Sequence, residues 1–323
     1  MMQQETRTFK QAVVEQLFTE HLSKLPNPPK PVQFLKDLQA VDALIAKERE
    51  GDYEFAHLSF QEYLAAARVK ETKDDAVFLQ ALNDSENLSW WAETMRLYAA
   101  QTDASRLVDA VVQEPALEKI LLAWNFCREG RVGVLQKQSL LDLIDEPLKI
   151  LEPADFQYAQ DSQPRYFKLA HYLQTEQWQA ADRETYEVMK RIMGGWLLQE
   201  IKDFPCPDLS VIDQLWLKHS QGKFGFSVQK QIWVEVGGKL DYGKDRQAAK
   251  DTFEALYLEV NWSTIRYELT SPRGHLPCVA EPGFYGYGGG RGGEIWLMWG
   301  GEGAFDYIYW VSILFSRIQA CRL

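Results

Sequence analysis

Residues that could catalyse a reaction are scattered along this chain of 323 residues. Asp208 and Asp213 are five positions apart, which on a helix puts them about 140° apart around the axis, too far to act as an acid/base pair. The chain has no G-x-S-x-G sequence, and its serine, cysteine and histidine residues are too dispersed to define a catalytic triad. We therefore expect no enzyme active site.

The four cysteines are also far apart in the sequence. They are Cys127, Cys206, Cys278 and Cys321. No two of them have the spacing of metal ligands, and single cysteines scattered in this way are usually reduced and partly buried. We expect neither a structural metal site nor a disulfide framework.

A glycine-containing aromatic stretch, Gly222–Trp233, follows a predicted helix and begins another. Phe224 and Phe226 flank Gly225, and two aromatic rings on such a turn fit either the hydrophobic core or the wall of an apolar cup. Residue type alone favours the core, because most aromatic side chains are structural.

Helix signals stand on both sides of this stretch. Leu209, Ile212 and Trp216 repeat at the spacing of one apolar helix face, and Asp208 is a candidate N-cap for that helix. Ser227 is a candidate N-cap for the next helix.

Several separate motifs resemble, in the right order, those of the genomes-uncoupled-four family. They are W-Q-A-A-D-R-E-T at 178–185, F-P-C-P-D-L at 204–209, I-D-Q-L-W at 212–216, G-K-F-G-F-S-V-Q at 222–229, P-R-G-H-L-P at 272–277, and the tail Phe315–Ile318 with Cys321. The resemblance covers about half of the chain, from near Tyr166 to the end. It implies an all-helical, cupped-hand fold that binds protoporphyrin or magnesium-protoporphyrin and stimulates magnesium chelatase without being a catalyst.

A porphyrin needs an apolar surface for its macrocycle and cations or N–H donors for its propionates. The resemblance implies a porphyrin site with two groups of residues. The apolar group is Phe224, Phe226, Val228 and Trp262, and the rim group is Arg266, Arg273, His275 and Arg291. Arg273 is the best placed, because a proline and a glycine fix the loop around it, although each arginine also fits a solvated surface position. His275 has the chemistry of a metalloporphyrin ligand, but a local hydrogen-bonding role is favoured.

The first half of the chain predicts a β-hairpin followed by a helix. Residues 43–46 and 53–57 flank a polar turn at 49–52, and Ser59 and Glu62 have the spacing of a capping box. An apolar stripe then continues along the helix at Phe60, Leu64 and Ala67.

Residues 55–66, F-A-H-L-S-F-Q-E-Y-L-A-A, closely resemble the winged-helix end of NACHT-type signalling ATPases, and residues 90–100 resemble the helical domain that follows it. In that family, the histidine matching His57 touches the β-phosphate of ADP. This chain lacks the phosphate-binding G-x-x-x-x-G-K-[ST] sequence, so we expect it to bind no ATP alone. His57 is expected to pack between hairpin and helix, and to meet a nucleotide only with a separate ATPase subunit.

These features predict a mainly α protein of two domains. Residues 1–155 form the winged-helix and helical part, residues 156–323 form the porphyrin-binding helical domain, and the polar segment 152–164 is the expected linker. Residues 283–303 mix glycines with aromatic residues, which indicates either a mobile aromatic loop or a disordered insertion.

Composition narrows the possible functions. The net charge of −11 argues against nonspecific nucleic-acid binding, and no apolar run approaches the roughly 20 residues of a transmembrane helix. We expect a cytoplasmic protein.

The leading hypothesis is a non-catalytic tetrapyrrole sensor or regulator, with a magnesium chelatase subunit as a possible partner. The alternative is a ligand-free signalling adaptor that contacts a separately encoded NACHT ATPase. A dedicated chelatase activator is the weakest hypothesis, because it has no evident use for the N-terminal half.

Overall fold

The computed structural model describes residues 6–41, 44–46, 52–162, 164–194, 201–240, 246–278 and 302–323. The fold is mainly α, which confirms the predicted class. The chain divides into two compact units, Met1–Leu143 and Ile144–Leu323, so the division comes after residue 143 instead of after residue 155. Within the described ranges, no helix combines the length and the apolar character needed to cross a membrane.

The elements up to residue 145 include a small sheet and a series of helices. They are β1 (Thr8–Lys10), α1 (Gln11–Leu22), α2 (Pro31–Ala40), β2 (Leu44–Ala46), β3 (Asp52–Phe55), α3 (Leu58–Thr72), α4 (Ala76–Leu82), α5 (Ser85–Ala99), α6 (Ser105–Gln113), α7 (Leu117–Glu129) and α8 (Val134–Asp145). Around Phe78, the core includes edge-on ring contacts with Trp91 and Tyr98.

The sheet has the strand order β1-β3-β2, and both pairings are antiparallel. Leu44 pairs with Phe55 in the β2–β3 hairpin, which confirms the predicted hairpin. β1 was not predicted, because its three residues are too few to show the alternation that identifies a strand. Phe9 in β1 pairs with Tyr53 in β3, and their rings stack at 6.1 Å.

Helix α3 differs from its predicted form at two points. It begins at Leu58, with His57 in the cap position and no side-chain capping hydrogen bond, so the predicted capping box of Ser59 and Glu62 is wrong. The stripe at Phe60 and Leu64 is exposed (45% and 53%) instead of buried. Ala66 and Val69 are the residues of α3 that join the core.

In the second unit, the regular elements of the described residues are all helices. After a 3₁₀ turn at Glu146–Leu148 come α9 (Pro153–Asp161), α10 (Phe167–Gln174), α11 (Trp178–Met193), a 3₁₀ turn at Ile201–Asp203, α12 (Cys206–His219), α13 (Phe226–Glu235), α14 (Arg246–Glu259) and α15 (Glu302–Ala320). Gly194 ends α11 in the left-handed conformation that favours glycine.

The polar segment 152–164, predicted to be a linker, is largely the helix α9. Pro153 occupies the first turn of this helix, where its missing N–H removes no hydrogen bond. Ala159 is fully buried in the core of the second unit, which shows that this segment belongs to the folded domain.

Aromatic side chains from distant helices fill the core of the second unit. Trp178 of α11 and Trp216 of α12 both contact Phe224, with ring centroids 5.8 and 6.4 Å away. Trp233 of α13 packs on Phe315 of α15 at 5.4 Å. These contacts join α11, α12, α13 and α15 around one core.

Cys206 and Cys321 form a disulfide, with Cα atoms 5.2 Å apart. The expectation that the cysteines are unpaired is therefore wrong for these two. They are 115 residues apart, and sequence spacing gives no information about a contact that only the folded helices create. Cys127 and Cys278 are not part of this disulfide.

Candidate functional site

The two motifs at 222–229 and 272–277 are joined by backbone hydrogen bonds. The Gly225 N–H donates to the Leu276 carbonyl at 3.0 Å, and the Gly274 N–H donates to the Lys223 carbonyl at 2.9 Å. The Gln229 side-chain amide adds two bonds, to the carbonyls of Gly274 (3.0 Å) and Pro277 (2.7 Å). These bonds fix residues 260–278, which we call the 260–278 loop, against the start of α13.

The predicted apolar wall lies beneath the surface. Phe224, Phe226 and Val228 are all buried, with Phe224 completely inaccessible, and Trp262, the fourth residue of the predicted apolar group, is buried as well. Phe224 is enclosed by Trp178 and Trp216. In this structure the three side chains are packing residues, and a role in binding stays a prediction.

His275 connects both ends of the 260–278 loop. Its ring is fully buried, Nδ1 lies 2.6 Å from the Val260 carbonyl, and Nε2 accepts the Arg266 backbone N–H at 2.9 Å. The indole N–H of Trp262 donates to the His275 carbonyl at 2.7 Å. Because both ring nitrogens are engaged, this geometry gives His275 a structural role and leaves no lone pair for a metal.

The predicted rim arginines differ in their surroundings. Arg273 is half-exposed and forms an ion pair with Glu235, with one guanidinium nitrogen 3.0 Å from the carboxylate. Arg266 is exposed, and its guanidinium has no acidic partner among the described residues. Arg291 lies outside the described residues, as does most of the glycine-rich stretch 283–303. The structure thus places two of the three arginines on the 260–278 loop.

Phe253 and Tyr257, which the sequence reasoning missed as site residues, are partly exposed and form an aromatic cluster with the buried Trp262, a predicted site residue. The ring of Phe253 lies 6.2 Å from that of Tyr257 and 6.3 Å from that of Trp262. Partial burial raises the pKa of the Tyr257 hydroxyl. Phe253 and Tyr257 are four residues apart on α14, and this aromatic i, i+4 spacing is the signal that would have revealed them.

Next to the cluster, Leu258 is 73% exposed. Arg266 and Trp262 are both hydrogen-bonded to His275. The Arg266 backbone N–H donates to the imidazole, and the Trp262 indole N–H donates to the His275 carbonyl. A partly exposed aromatic surface, and on the 260–278 loop a guanidinium with no acidic partner among the residues that the structure describes, are the two chemical properties that an anionic, planar ligand requires.

Buried carboxylates hold the scaffold behind these groups. Asp208 lies inside the first turn of α12, not in the predicted cap position. It accepts hydrogen bonds from Tyr158 (2.8 Å), Arg165 (2.7 Å) and Tyr166. Burial, together with these bonds to Asp208, raises the pKa of both tyrosines. Asp208 therefore ties α9 and the turn after it to α12.

Asp182 and Cys278 connect the end of the 260–278 loop to α11. The Cys278 backbone N–H and thiol each donate to the Asp182 carboxylate at 2.8 Å, and both residues are buried. Together with the bonds of Gln229 and His275, this pair attaches the loop to α11 and α13.

In the first unit, His57 is exposed and its ring lies 5.8 Å from that of Phe60. The sequence predicted that His57 packs between hairpin and helix. This prediction is wrong, because α3 turns the face that carries Phe60 toward solvent. Within the described ranges, no three His, Cys, Asp or Glu side chains are grouped closely enough to hold a metal.

Part of the second unit is similar to known proteins. The C-terminal region, residues 159–282, matches the family described as GUN4-like. The matched span covers α10 to α14 and the whole 260–278 loop, including the aromatic cluster and both described rim arginines.

Three relatives show the extent of this similarity. The tetrapyrrole-binding protein, chloroplastic, of Arabidopsis thaliana is 33% identical over 129 residues, or 34% of this chain and 47% of that protein. The uncharacterized protein ycf53 of Porphyra purpurea is 34% identical over 119 residues (32% and 44%). The Ycf53-like protein of Synechocystis is 29% identical over 133 residues (36% and 52%). The chain spans about half the length of these relatives.

Two solved structures are also similar in part. GUN4 from Chlamydomonas reinhardtii aligns with a TM-score of 0.30 and 24% identity, covering 36% of this chain and 78% of that one. Ligand-free GUN4 of Arabidopsis thaliana aligns with a TM-score of 0.31 and 25% identity, covering 46% and 93%. The family match begins at residue 159, so it gives no support to the NACHT resemblance of residues 55–66 and 90–100.

Proposed function

We propose that the second unit binds a tetrapyrrole and that the protein is a non-catalytic regulator. The observation that carries this proposal is the GUN4-like match over residues 159–282, together with a tetrapyrrole-binding relative at 33% identity. Within the class, protoporphyrin and magnesium-protoporphyrin are the ligands we propose. A magnesium chelatase subunit is the proposed partner.

We place the ligand's contact surface on the aromatic cluster Phe253, Tyr257 and Trp262. Stacking on a flat macrocycle requires aromatic side chains that are partly open to solvent, and Phe253 and Tyr257 meet this requirement. Phe253 also packs against the buried Trp262 of the 260–278 loop. Phe224, Phe226 and Val228 support this surface from within the core and do not need to touch the ligand.

We propose Arg266 and Arg273 as the partners of the propionates. A guanidinium pairs with a carboxylate through two parallel hydrogen bonds, which orient the ligand as well as attract it. Arg266 is available for such a pair, whereas Arg273 must first give up its contact with Glu235.

Titration of the purified protein with protoporphyrin tests this function. Binding should quench tryptophan fluorescence in a saturable way and shift the Soret band at micromolar protein concentration. The absence of both changes would contradict the proposal. Addition to a reconstituted magnesium chelatase tests the regulatory role separately, and an unchanged rate would remove that partner.

A matched pair of variants locates the surface. Tyr257→Ala should weaken binding by roughly 2- to 10-fold, because one stacking ring is lost. Tyr172→Ala removes another half-buried tyrosine of the same unit, on α10, and should leave the affinity unchanged. Equal affinities for the two variants would show that the ligand lies elsewhere.

A further inference from the structure

The disulfide between Cys206 and Cys321 joins the two ends of a long segment of the second unit. Cys206 is the first residue of α12, and Cys321 immediately follows the last residue of α15. Both residues are partly exposed to solvent. Cys278, in contrast, is buried against Asp182.

Non-covalent contacts hold the same end of α15. The Arg317 guanidinium donates to the Phe204 carbonyl at 2.7 Å, close to Cys206 in the sequence. The Lys230 ammonium donates to Gln319 at 3.1 Å and to the carbonyl of Leu323. Phe315 is buried against Trp233. Because these contacts do not depend on the disulfide, α15 has a way to stay docked when the bond is broken.

From this geometry we infer that Cys206 and Cys321 form a reversible redox site whose co-substrate is a dithiol reductant. Reduction loosens the C-terminal turn after α15 and the first turn of α12, while the core of the unit stays folded. The inference does not depend on the proposed tetrapyrrole function.

The exchange is balanced by the dithiol alone. A thiolate of the reductant attacks the Cys321 sulfur, which breaks the protein disulfide, forms a mixed disulfide with Cys321 and releases Cys206 as a thiolate. Cys206 is the better leaving group, because the N-terminus of α12 stabilises negative charge at its sulfur. The second thiol of the reductant then displaces Cys321. Two electrons and two protons pass to the cysteines, and the reductant becomes a disulfide.

Thiol labelling of the full chain with and without dithiothreitol tests the chemistry. In the oxidised protein under native conditions, a maleimide should leave Cys206 and Cys321 unlabelled, as read by peptide mass spectrometry. After dithiothreitol treatment without denaturant, both should be labelled. A bond that does not form under oxidation, or that is reduced only in denaturant, would overturn the inference.

Hydrogen exchange on the same two samples tests the consequence. Reduction should speed amide exchange in residues 204–210 and 316–323, leave α11 unchanged, and lower the thermal midpoint by roughly 5–15 °C. The double variant Cys206→Ser and Cys321→Ser should behave like reduced protein at every dithiothreitol concentration. Cys127→Ser should keep the response.

Two results would count against the conformational part. Unchanged exchange and an unchanged midpoint on reduction would show that the disulfide constrains nothing. Loss of helical circular dichroism on reduction would show that the bond is required for the fold and is not a switch. The wild-type samples decide this even when the double variant does not fold.

Discussion

The buried imidazole of His275 accepts the backbone N–H of Arg266 at its Nε2 atom, across 2.9 Å. The proton must then reside on Nδ1, which donates to the Val260 carbonyl at 2.6 Å. A neutral histidine thus satisfies one donor and one acceptor of the 260–278 loop. This arrangement assigns the histidine of the P-R-G-H-L-P motif to the loop's structure.

The first prediction follows from this assignment. His275→Ala should lower the free energy of unfolding by about 2–4 kcal/mol, because it leaves a cavity and two unpaired backbone groups. Urea denaturation measures this loss, with His171→Ala, a half-buried histidine on α10, as the control. A variant of wild-type stability that bound magnesium-protoporphyrin more weakly than wild type does, but bound protoporphyrin equally well, would instead make His275 a metal ligand.

The second prediction concerns the ion pair of Arg273 and Glu235. Their side chains are 42% and 49% exposed, so the pair is worth little to stability, but Glu235 competes with a propionate for the guanidinium. Glu235→Gln should therefore strengthen protoporphyrin binding by about 1.5- to 5-fold in a fluorescence titration.

The control for that experiment is Glu152→Gln, which breaks another exposed ion pair of the same unit, with Lys218. It removes the same charge and should leave the affinity unchanged. If both variants bind more tightly by the same factor, the effect is one of net charge, and Arg273 does not contact the ligand.

The third prediction separates steric contact from backbone strain at two glycines. Gly222 and Gly274 have φ of +79° and +74°, but a Cβ at Gly222 would meet nothing within 4 Å, whereas one at Gly274 would lie 2.5 Å from the Ile232 side chain. Gly222→Ala should cost about 1 kcal/mol from backbone strain. Gly274→Ala should cost a further 1–3 kcal/mol, roughly, because it forces the loop away from α13. Equal unfolding midpoints for both variants would contradict the close packing of Gly274.

Part of this fold could be predicted from local sequence patterns. The class, the β2–β3 hairpin and the end of α11 at Gly194 depend on residues close together in the chain, and the structure has all three. The segment 152–164 misled the same reasoning, because proline and polar residues also occur in the first turn and on the exposed face of a helix.

The candidate site could not be predicted in the same way, because burial depends on distant partners. Phe224 is enclosed by Trp178, which lies on α11, much earlier in the chain. The sequence next to Phe224 does not distinguish a ring in the core from a ring in a pocket. Phe253 and Tyr257 have similar chemistry, yet they are only partly buried against the same core. The disulfide of Cys206 and Cys321 likewise needs the folded chain.

Asp213 provides the last prediction, on pH dependence. Its carboxylate is buried, and Oδ1 accepts the Ser227 N–H at 2.9 Å at the start of α13, where Gly225 is the cap residue. Oδ2 has no hydrogen-bond partner among the described residues. Burial raises the pKa of Asp213 above its ordinary value of 3.8, and the bonds from the start of α13 oppose this only in part.

A raised pKa in the folded state means that folded protein binds the proton more tightly than unfolded protein does. The stability associated with Asp213 is therefore fully present below about pH 4, and it is lost as the pH rises through the folded-state pKa. Asp213→Asn cannot ionise, but its side-chain oxygen can still accept the Ser227 N–H. The stability of the variant relative to wild type should therefore be greatest at pH 7 and should fall as the pH is lowered toward about 4. Urea unfolding at several pH values measures this difference, with Asp203→Asn, whose side chain is 73% exposed, as the control. A relative stability of Asp213→Asn that stayed constant, or rose toward acid pH, would mean that the carboxylate is ionised at little cost in the folded protein and acts mainly as a charged cap for α13.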